Sequence, residues 1–201
     1  MLPYTPLHHL LLDAFGGALV MTSGNRSEEP IATGNAEALQ RLSDIADAFL
    51  VHDRDIYTRY DDSVVRHAPD VGVESIRRAR GYAPFPLAAP FESDVDILAA
   101  GPDQKNTFCL LTGAHAFISQ HIGDMENLET LAFHREVLTH LEDVLQVRPK
   151  IIVHDLHPDY MTTPLAAELA AERGIPKTAL QHHFAHVHAV LAESQHQGPA
   201  L

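Results

Sequence analysis

Three prolines within seven positions, Pro84, Pro86 and Pro90, set the strongest limit on how this chain folds. Proline has no amide hydrogen and a fixed φ, so it disrupts helix interiors and central strands alike. Residues 81–90 are therefore expected to separate two units, 1–88 and 89–201, with the polar run Glu92-Ser93-Asp94 just beyond. A chain of 201 residues with 45% hydrophobic content has enough apolar mass for one or two cores.

The pattern around that divide predicts an α/β chain. In the first unit, residues 4–15 read as a short helix carrying Leu7, Leu10 and Leu11, followed by a buried strand at 18–22. A helix at 34–45 is expected, with Asn35 as its N-cap, then strands at 48–51, 63–66 and 73–77. In the second unit, strands at 95–100, 107–112 and 115–119 suggest an antiparallel meander. A long helix at 127–146 carries Leu131, Leu138 and Leu145 at heptad spacing, flanked by Val137, Leu141 and Val144. Strand 150–154, helix 163–173, strand 176–180 and helix 182–194 complete a βαβα order, which implies a parallel sheet with its site at the C-terminal strand ends. The chain starts almost directly in a helix and stops just after a turn signal, so both units are expected to be incomplete parts of something longer.

Charge narrows the ligands. Fourteen basic residues against 27 acidic ones give a net charge of −13, which repels nucleic-acid phosphates. Six of the basic residues, Arg54, Arg59, Arg66, Arg77, Arg78 and Arg80, nevertheless fall within 27 positions, a patch suited to a small anion. The single cysteine, Cys109, rules out an intrachain disulfide and a cysteine-based zinc site, and its apolar surroundings suggest inert packing. No signal peptide and no apolar run near ~20 residues is present, so a cytoplasmic protein without a membrane partner is expected.

Two motif groups carry chemistry. Met21-Thr22-Ser23-Gly24-Asn25-Arg26-Ser27 offers backbone amides, a hydroxyl and a carboxamide to an anion, although it also suits an ordinary turn. Period-2 alternation would place Arg78 and Arg80 on one strand face, near Arg59 and Ser63, where two guanidiniums grip phosphate oxygens. A salt-bridged face paired with Asp53, Asp55, Asp61 and Asp62 is the alternative.

The second group is richer in histidine. Five of the 15 histidines lie between His182 and His196, and a helix starting there sets His182 and His186 one turn apart, a spacing that lets two imidazoles bind one metal ion. His183 and His188 fall off that face. The run is no metalloprotease helix, since His183 stands where the catalytic glutamate belongs. Asp155 and His157 end a strand, a common site position. Gly123 allows close backbone approach to a ligand. Asp124 either orients a histidine or caps the helix near Asn127. Lys105 and Asn106 either meet phosphates or form a plain turn.

These stretches resemble a known family. Met21-Thr22-Ser23-Gly24-Asn25, His52-Asp53-Arg54-Asp55-Ile56, Asp61-Asp62-Ser63-Val64-Val65-Arg66 and Arg77-Arg78-Ala79-Arg80-Gly81-Tyr82-Ala83-Pro84 resemble the second half of a YrdC-like domain. The last of these is the form found in HypF-type carbamoyltransferases of nickel–iron hydrogenase maturation. Gly101-Pro102-Asp103-Gln104-Lys105-Asn106-Thr107, Ser119-Gln120-His121-Ile122-Gly123-Asp124, Asp155-Leu156-His157-Pro158-Asp159-Tyr160 and Gln181-His182-His183-Phe184-Ala185-His186 resemble the first half of that family's actin/hexokinase-like transfer domain. Two departures stand out: Pro102-Asp103 replaces the more usual Gly-Glu, and Phe184 fills a slot often held by a third histidine.

The resemblance implies ATP, Mg2+ and carbamoyl phosphate as the adenylating domain's ligands, held by Ser23, Asn25, Arg59, Ser63, Arg78, Arg80, Lys105 and Asn106. It implies one divalent metal, zinc or iron, on His182 and His186, completed by an aspartate beyond Leu201, with Asp124, Asp155 and His157 behind it. The implied acceptor is the C-terminal cysteine of a hydrogenase maturation partner, and the implied product a cyanide ligand. The double-stranded RNA-binding fold of YrdC-like domains is a family property only, and no nucleic-acid partner is expected. Two other readings are a tRNA threonylcarbamoylation enzyme and a non-enzymatic histidine-rich metal-binding module. The −13 charge and the Arg-Arg-Ala-Arg-Gly-Tyr run count against the former.

Overall fold

The computed structural model describes residues 3–27, 29–196 and 198. Among them the fold is mixed α/β, with five helices and two sheets.

In the first half, helix α1 (Pro6–Phe15) begins with proline at its first turn, Thr5 accepts the His8 amide at 3.2 Å, and Gly16 closes it in the left-handed region. Helix α2 (Asn35–Leu42) is capped differently from the expectation. Gly34 is the N-cap and the Glu37 carboxylate takes the Thr33 and Gly34 amides, while Asn35 donates to the His52 carbonyl instead. Strands β1 (Val64–Ala68) and β2 (Gly72–Arg77) form an antiparallel pair. The strands expected at 18–22 and 48–51 do not form. A strand needs a neighbouring ladder, and β1 and β2 pair only with each other; Val20 is 97% exposed and Leu50 70%.

The second half is built on a four-stranded sheet in the order β4-β3-β5-β6. Strand β3 (Leu87–Ala99) starts well before the expected residue 95 and runs across the 88/89 divide. Pro90 is tolerated because the ladder to β4 (Cys109–Ile118) is interrupted there: the register shifts between Ala88 and Ser93 and again before Ile97. The two strands expected at 107–112 and 115–119 are one, since Gly113 bends the chain at φ +53 without reversing it. Strands β5 (Ile151–Asp155) and β6 (Lys177–Leu180) add in parallel, and helix α4 (Thr162–Arg173) crosses between them, as the βαβα order predicts.

Helix α3 (Leu128–Leu145) covers one face of this sheet. Asn127 caps it by accepting the Thr130 amide at 2.7 Å. The buried stripe is Phe133, Val137, Leu138 and Leu141: it includes the expected Leu138, Val137 and Leu141, whereas Leu131 and Leu145 are only partly buried and Val144 faces solvent. It packs on Leu98, Phe108, Leu110 and Ile152, with Leu165, Ala166 and Leu169 of α4 in the same core. Each such side chain stabilises the fold by about 1.5–3 kcal/mol, and Leu138→Ala alone is expected to remove about 2–5 kcal/mol.

Beyond β5 the packing thins. Every residue of β6 is exposed, and helix α5 (His182–Glu193) buries none. The accessible surface totals 13199 Å2 for 22.1 kDa, against roughly 9,300 Å2 for a compact monomer of that mass. Among the described residues, no helix is long and apolar enough to cross a membrane.

Candidate functional site

The histidine site arises at the strand ends. In the parallel register Asp155 faces Leu180, so the loops leaving β5 and β6 emerge side by side and α5 begins directly above Asp155. His182 Nδ1 donates to Asp155 Oδ2 at 2.6 Å, and Asp155 Oδ1 accepts the His157 amide at 2.9 Å. The Asp155 side chain is only 8% exposed. Burial works to raise its pKa, but the His157 amide and the His182 ring outweigh it and hold the carboxyl below the ordinary value of 3.8.

With Nδ1 committed to Asp155, the Nε2 atom of His182 turns to His186, whose Nε2 lies 3.0 Å away. The rings sit 4.7 Å apart at 74°. His157 stacks on Tyr160 at 4.4 Å, and the edge of Tyr160 faces His182 at 6.1 Å. Asp124 lies near enough to His121 to act on it electrostatically, but its hydrogen bond goes elsewhere. Its Oδ1 accepts the Lys105 amide at 2.6 Å, and α3 is capped by Asn127 rather than by Asp124. His183 and His188 are exposed, and His188 Nδ1 pairs with the Phe184 carbonyl at 2.8 Å.

This pair fits a metal ion in chemistry and spacing. The facing imidazole nitrogens lie 3.0 Å apart, close enough for one divalent ion to be reached by both. A carboxylate on the far ring nitrogen fixes the tautomer that presents a lone pair, the usual support of a metal-bound histidine. The pair provides two ligands: among the described residues, no group of three or more histidine, cysteine, aspartate or glutamate side chains is arranged to hold a metal.

A second feature lies between the halves. A concavity of about 1800 Å3 is lined by Ser23, Asn25, Arg59 and Arg78 from the first half and by Lys105, His121 and Asp124 from the second. Ser23 donates to Asn25 at 2.6 Å, and Asn25 in turn closes the loop onto the Arg26 and Glu29 carbonyls. Arg59 is braced by Glu136 and the Ile31 carbonyl. Arg78 and Arg80 do not share a strand face, because β2 ends at Arg77. Arg78 reaches the Phe85 and Ile118 carbonyls, and Arg80 turns to Asp62 and the Tyr60 carbonyl. Ser63 bridges the Ala79 amide and the Arg80 carbonyl. Asn106 is fully buried and holds the loop from within by donating to the Ala100 and Pro102 carbonyls. Burial first, and then Arg77, keep the His121 imidazole below its ordinary pKa of 6.5. Cys109 is pushed up to about 11 by burial, so it is no nucleophile.

A family model described as the HypF Kae1-like domain matches residues 92–193, the sheet and helices that carry the histidine pair. The chain belongs to the HypF carbamoyltransferase family. A second model, described as telomere recombination and covering the Sua5, YciO and YrdC group, matches residues 1–79. Carbamoyltransferase HypF2 of Cupriavidus necator is 49% identical over all of this chain, and carbamoyltransferase HypF of Rhodobacter capsulatus is 45% identical over 96% of it. The chain spans about a quarter of their length, 27% and 26%. A crystal structure of full-length HypF in a phosphate- and nucleotide-bound form superposes with a TM-score of 0.89 at 44% identity, covering 98% of this chain and 31% of that one. A HypF structure from T. kodakarensis gives 0.80 at 40% identity, over 87% of this chain and 23% of that one.

Sequence reasoning passed over two residues of the site. Tyr160 packs between His157 and His182, and its signal was the aromatic three positions after His157. Asp103, marked beforehand only as a departure from the family pattern, ties together segments far apart in the chain.

Proposed function

We propose that this chain forms part of a carbamoyltransferase that makes carbamoyl adenylate and passes its carbamoyl group to a cysteine thiol. Residues 1–88 are the later part of the YrdC-like adenylating domain, and residues 89–201 the earlier part of the actin/hexokinase-like transfer domain. Carbamate released from carbamoyl phosphate attacks the α-phosphate of Mg2+-bound ATP, and pyrophosphate leaves. The thiolate of a maturation partner's C-terminal cysteine then attacks the carbamoyl carbon; the S–C bond forms as the C–O bond to AMP breaks. The thiocarbamate is the precursor of a hydrogenase cyanide ligand.

The observation that carries this reading is the Asp155–His182–His186 relay, whose facing nitrogens are 3.0 Å apart at the strand ends of the family's transfer domain. Asp155 fixes the tautomer of His182, and Tyr160 with His157 walls one side. A zinc or iron ion held by His182 and His186 supplies Lewis acidity toward the carbamoyl oxygen when bound. Arg78 and Lys105 bring positive charge to the concavity, where Ser23 and Asn25 form a polar turn and Arg59 is braced, an arrangement that suits phosphates.

Radiolabelled carbamoyl phosphate and ATP, supplied with bicarbonate and threonine in a parallel reaction, test the assignment. Pyrophosphate release that depends on carbamoyl phosphate supports it, and release that depends on threonine overturns it. Elemental analysis gives a second arm: at most one metal per chain, lost in His186→Ala, is expected, whereas several loosely held ions point to a metal-binding module.

A further inference from the structure

The loop 101–106 between β3 and β4 is shaped from inside. Gly101 adopts φ +77, and a Cβ there would lie 2.1 Å from the Thr107 carbonyl oxygen. The buried Asn106 side chain binds the Ala100 and Pro102 carbonyls at 3.1 and 2.5 Å, and the Lys105 amide donates to Asp124. One side chain leaves this network. The Asp103 carboxylate accepts the Met161 amide on Oδ2 at 2.6 Å and the Thr162 amide on Oδ1 at 2.9 Å, across 58 and 59 residues.

These amides open α4, where Met161 provides no side-chain cap and the helix's first N–H groups need acceptors from outside it. From there two further steps reach the histidine pair. Thr163 Oγ1 donates to the carbonyls of His157 at 2.8 Å and Asp155 at 3.3 Å, and Asp155 holds His182. In α1 and α3 the cap comes from the residue next to the helix, Thr5 or Asn127. Here it comes from the loop that borders the concavity. A carboxylate suits the task because both oxygens accept; a carboxamide has one acceptor and would point its NH2 at an amide donor.

We infer that Asp103 is a positioning residue that clamps loop 101–106 to the segment carrying Asp155 and His157, so that the concavity wall and the His182–His186 pair move as one body. The inference rests on the proposed reading of these two places as nucleotide wall and metal pair, and it deepens that reading by naming what couples them.

Amide hydrogen exchange on wild type, Asp103→Ala, Asp103→Asn and Asn127→Ala tests it, with the core amide of Ile152 as internal reference. Asn127→Ala removes the side-chain acceptor of the Thr130 amide at the start of α3, a helix cap of the same kind at another helix. Relative to that control, Asp103→Ala is expected to speed exchange about tenfold at Lys105 and Asn106 and at His157 and Asp159 together, with Asp103→Asn between. Co2+ affinity at the histidine pair, read by its visible absorption, is expected to fall about tenfold in Asp103→Ala and to stay unchanged in Asn127→Ala. If exchange quickens only at residues 161–163, Asp103 is a local cap and the inference is wrong. If wild type fails to bind Co2+ through His182 and His186, the metal part of the proposed function falls, and the exchange comparison still decides the clamp.

Discussion

Arg59 and Glu136, 77 residues apart in the chain, meet at 2.5 Å and join the loop before β1 to helix α3. The guanidinium also donates to the Ile31 carbonyl at 2.8 Å, lies 5.7 Å over the Phe133 ring, and sits 3.7 Å from Glu37. Gln120 returns a bond to the Arg59 carbonyl at 3.1 Å. Arg59 is thus a hub between the two halves, with its charge satisfied by protein groups.

Removing the hub should cost more than removing its visible salt bridge. Glu136 is nearly half exposed, so Glu136→Gln is expected to lower stability by less than about 1 kcal/mol. Arg59→Ala loses the carbonyl bond and the ring contact as well, for about 2 kcal/mol. Urea unfolding of both variants and the double variant decides; equal losses would show that the ion pair alone matters.

His134 gives the fold an acid-sensitive point. It is fully buried against Phe108, with its Nε2 3.4 Å from the Ala100 carbonyl, and burial lowers its pKa to about 4 from 6.5. The unfolded chain binds this proton below about pH 6.5, while the folded chain resists it until about pH 4. Stability therefore falls as pH drops through that window, by about 3 kcal/mol in all. His134→Leu should remove this part of the slope in urea midpoints measured from pH 7 to 4; an unchanged slope would exclude His134 as its source.

Glycines at 101 and 174 separate two causes of strain. Both have positive φ, but a Cβ at Gly174 meets open space, whereas at Gly101 it collides with the Thr107 carbonyl. Gly174→Ala is expected to cost about 1 kcal/mol and Gly101→Ala about 3 kcal/mol or more. Thermal unfolding of the two variants tests the ranking.

Asp155→Asn tests the tautomer argument at the histidine pair. The shape stays, but the carboxamide no longer commits His182 to donating from Nδ1. Co2+ affinity is expected to fall about 10- to 100-fold. An unchanged affinity would show that Asp155 does not prepare the ring.

Much of this was legible beforehand because it is local. The periodicity of α3 and α4, the apolar run of β5, and the four-residue spacing of His182 and His186 follow from residues near one another in the chain. Strand 18–22 was misread because its apolar residues say nothing about whether a neighbouring ladder exists. Arg78 and Arg80 were misplaced because β2 ends at Arg77, where the strand was expected to end, so the alternation does not carry on to either residue. The contact between Asp103 and the start of α4 depends on how β3, β4 and β5 stack, which no run of residues encodes.

Strand β3 has a mechanical meaning. Leu87 and Ala88 pair with Ala116 and His115, and Ile97 to Ala99 pair with residues 109–111 in a shifted register, leaving Pro90 between two anchored ends. Its residues from 87 to 91 also line the concavity. One strand thus both borders the gap and runs through the middle of the sheet, and its pairing with β4 on either side of Pro90 ties the wall of the gap to the core.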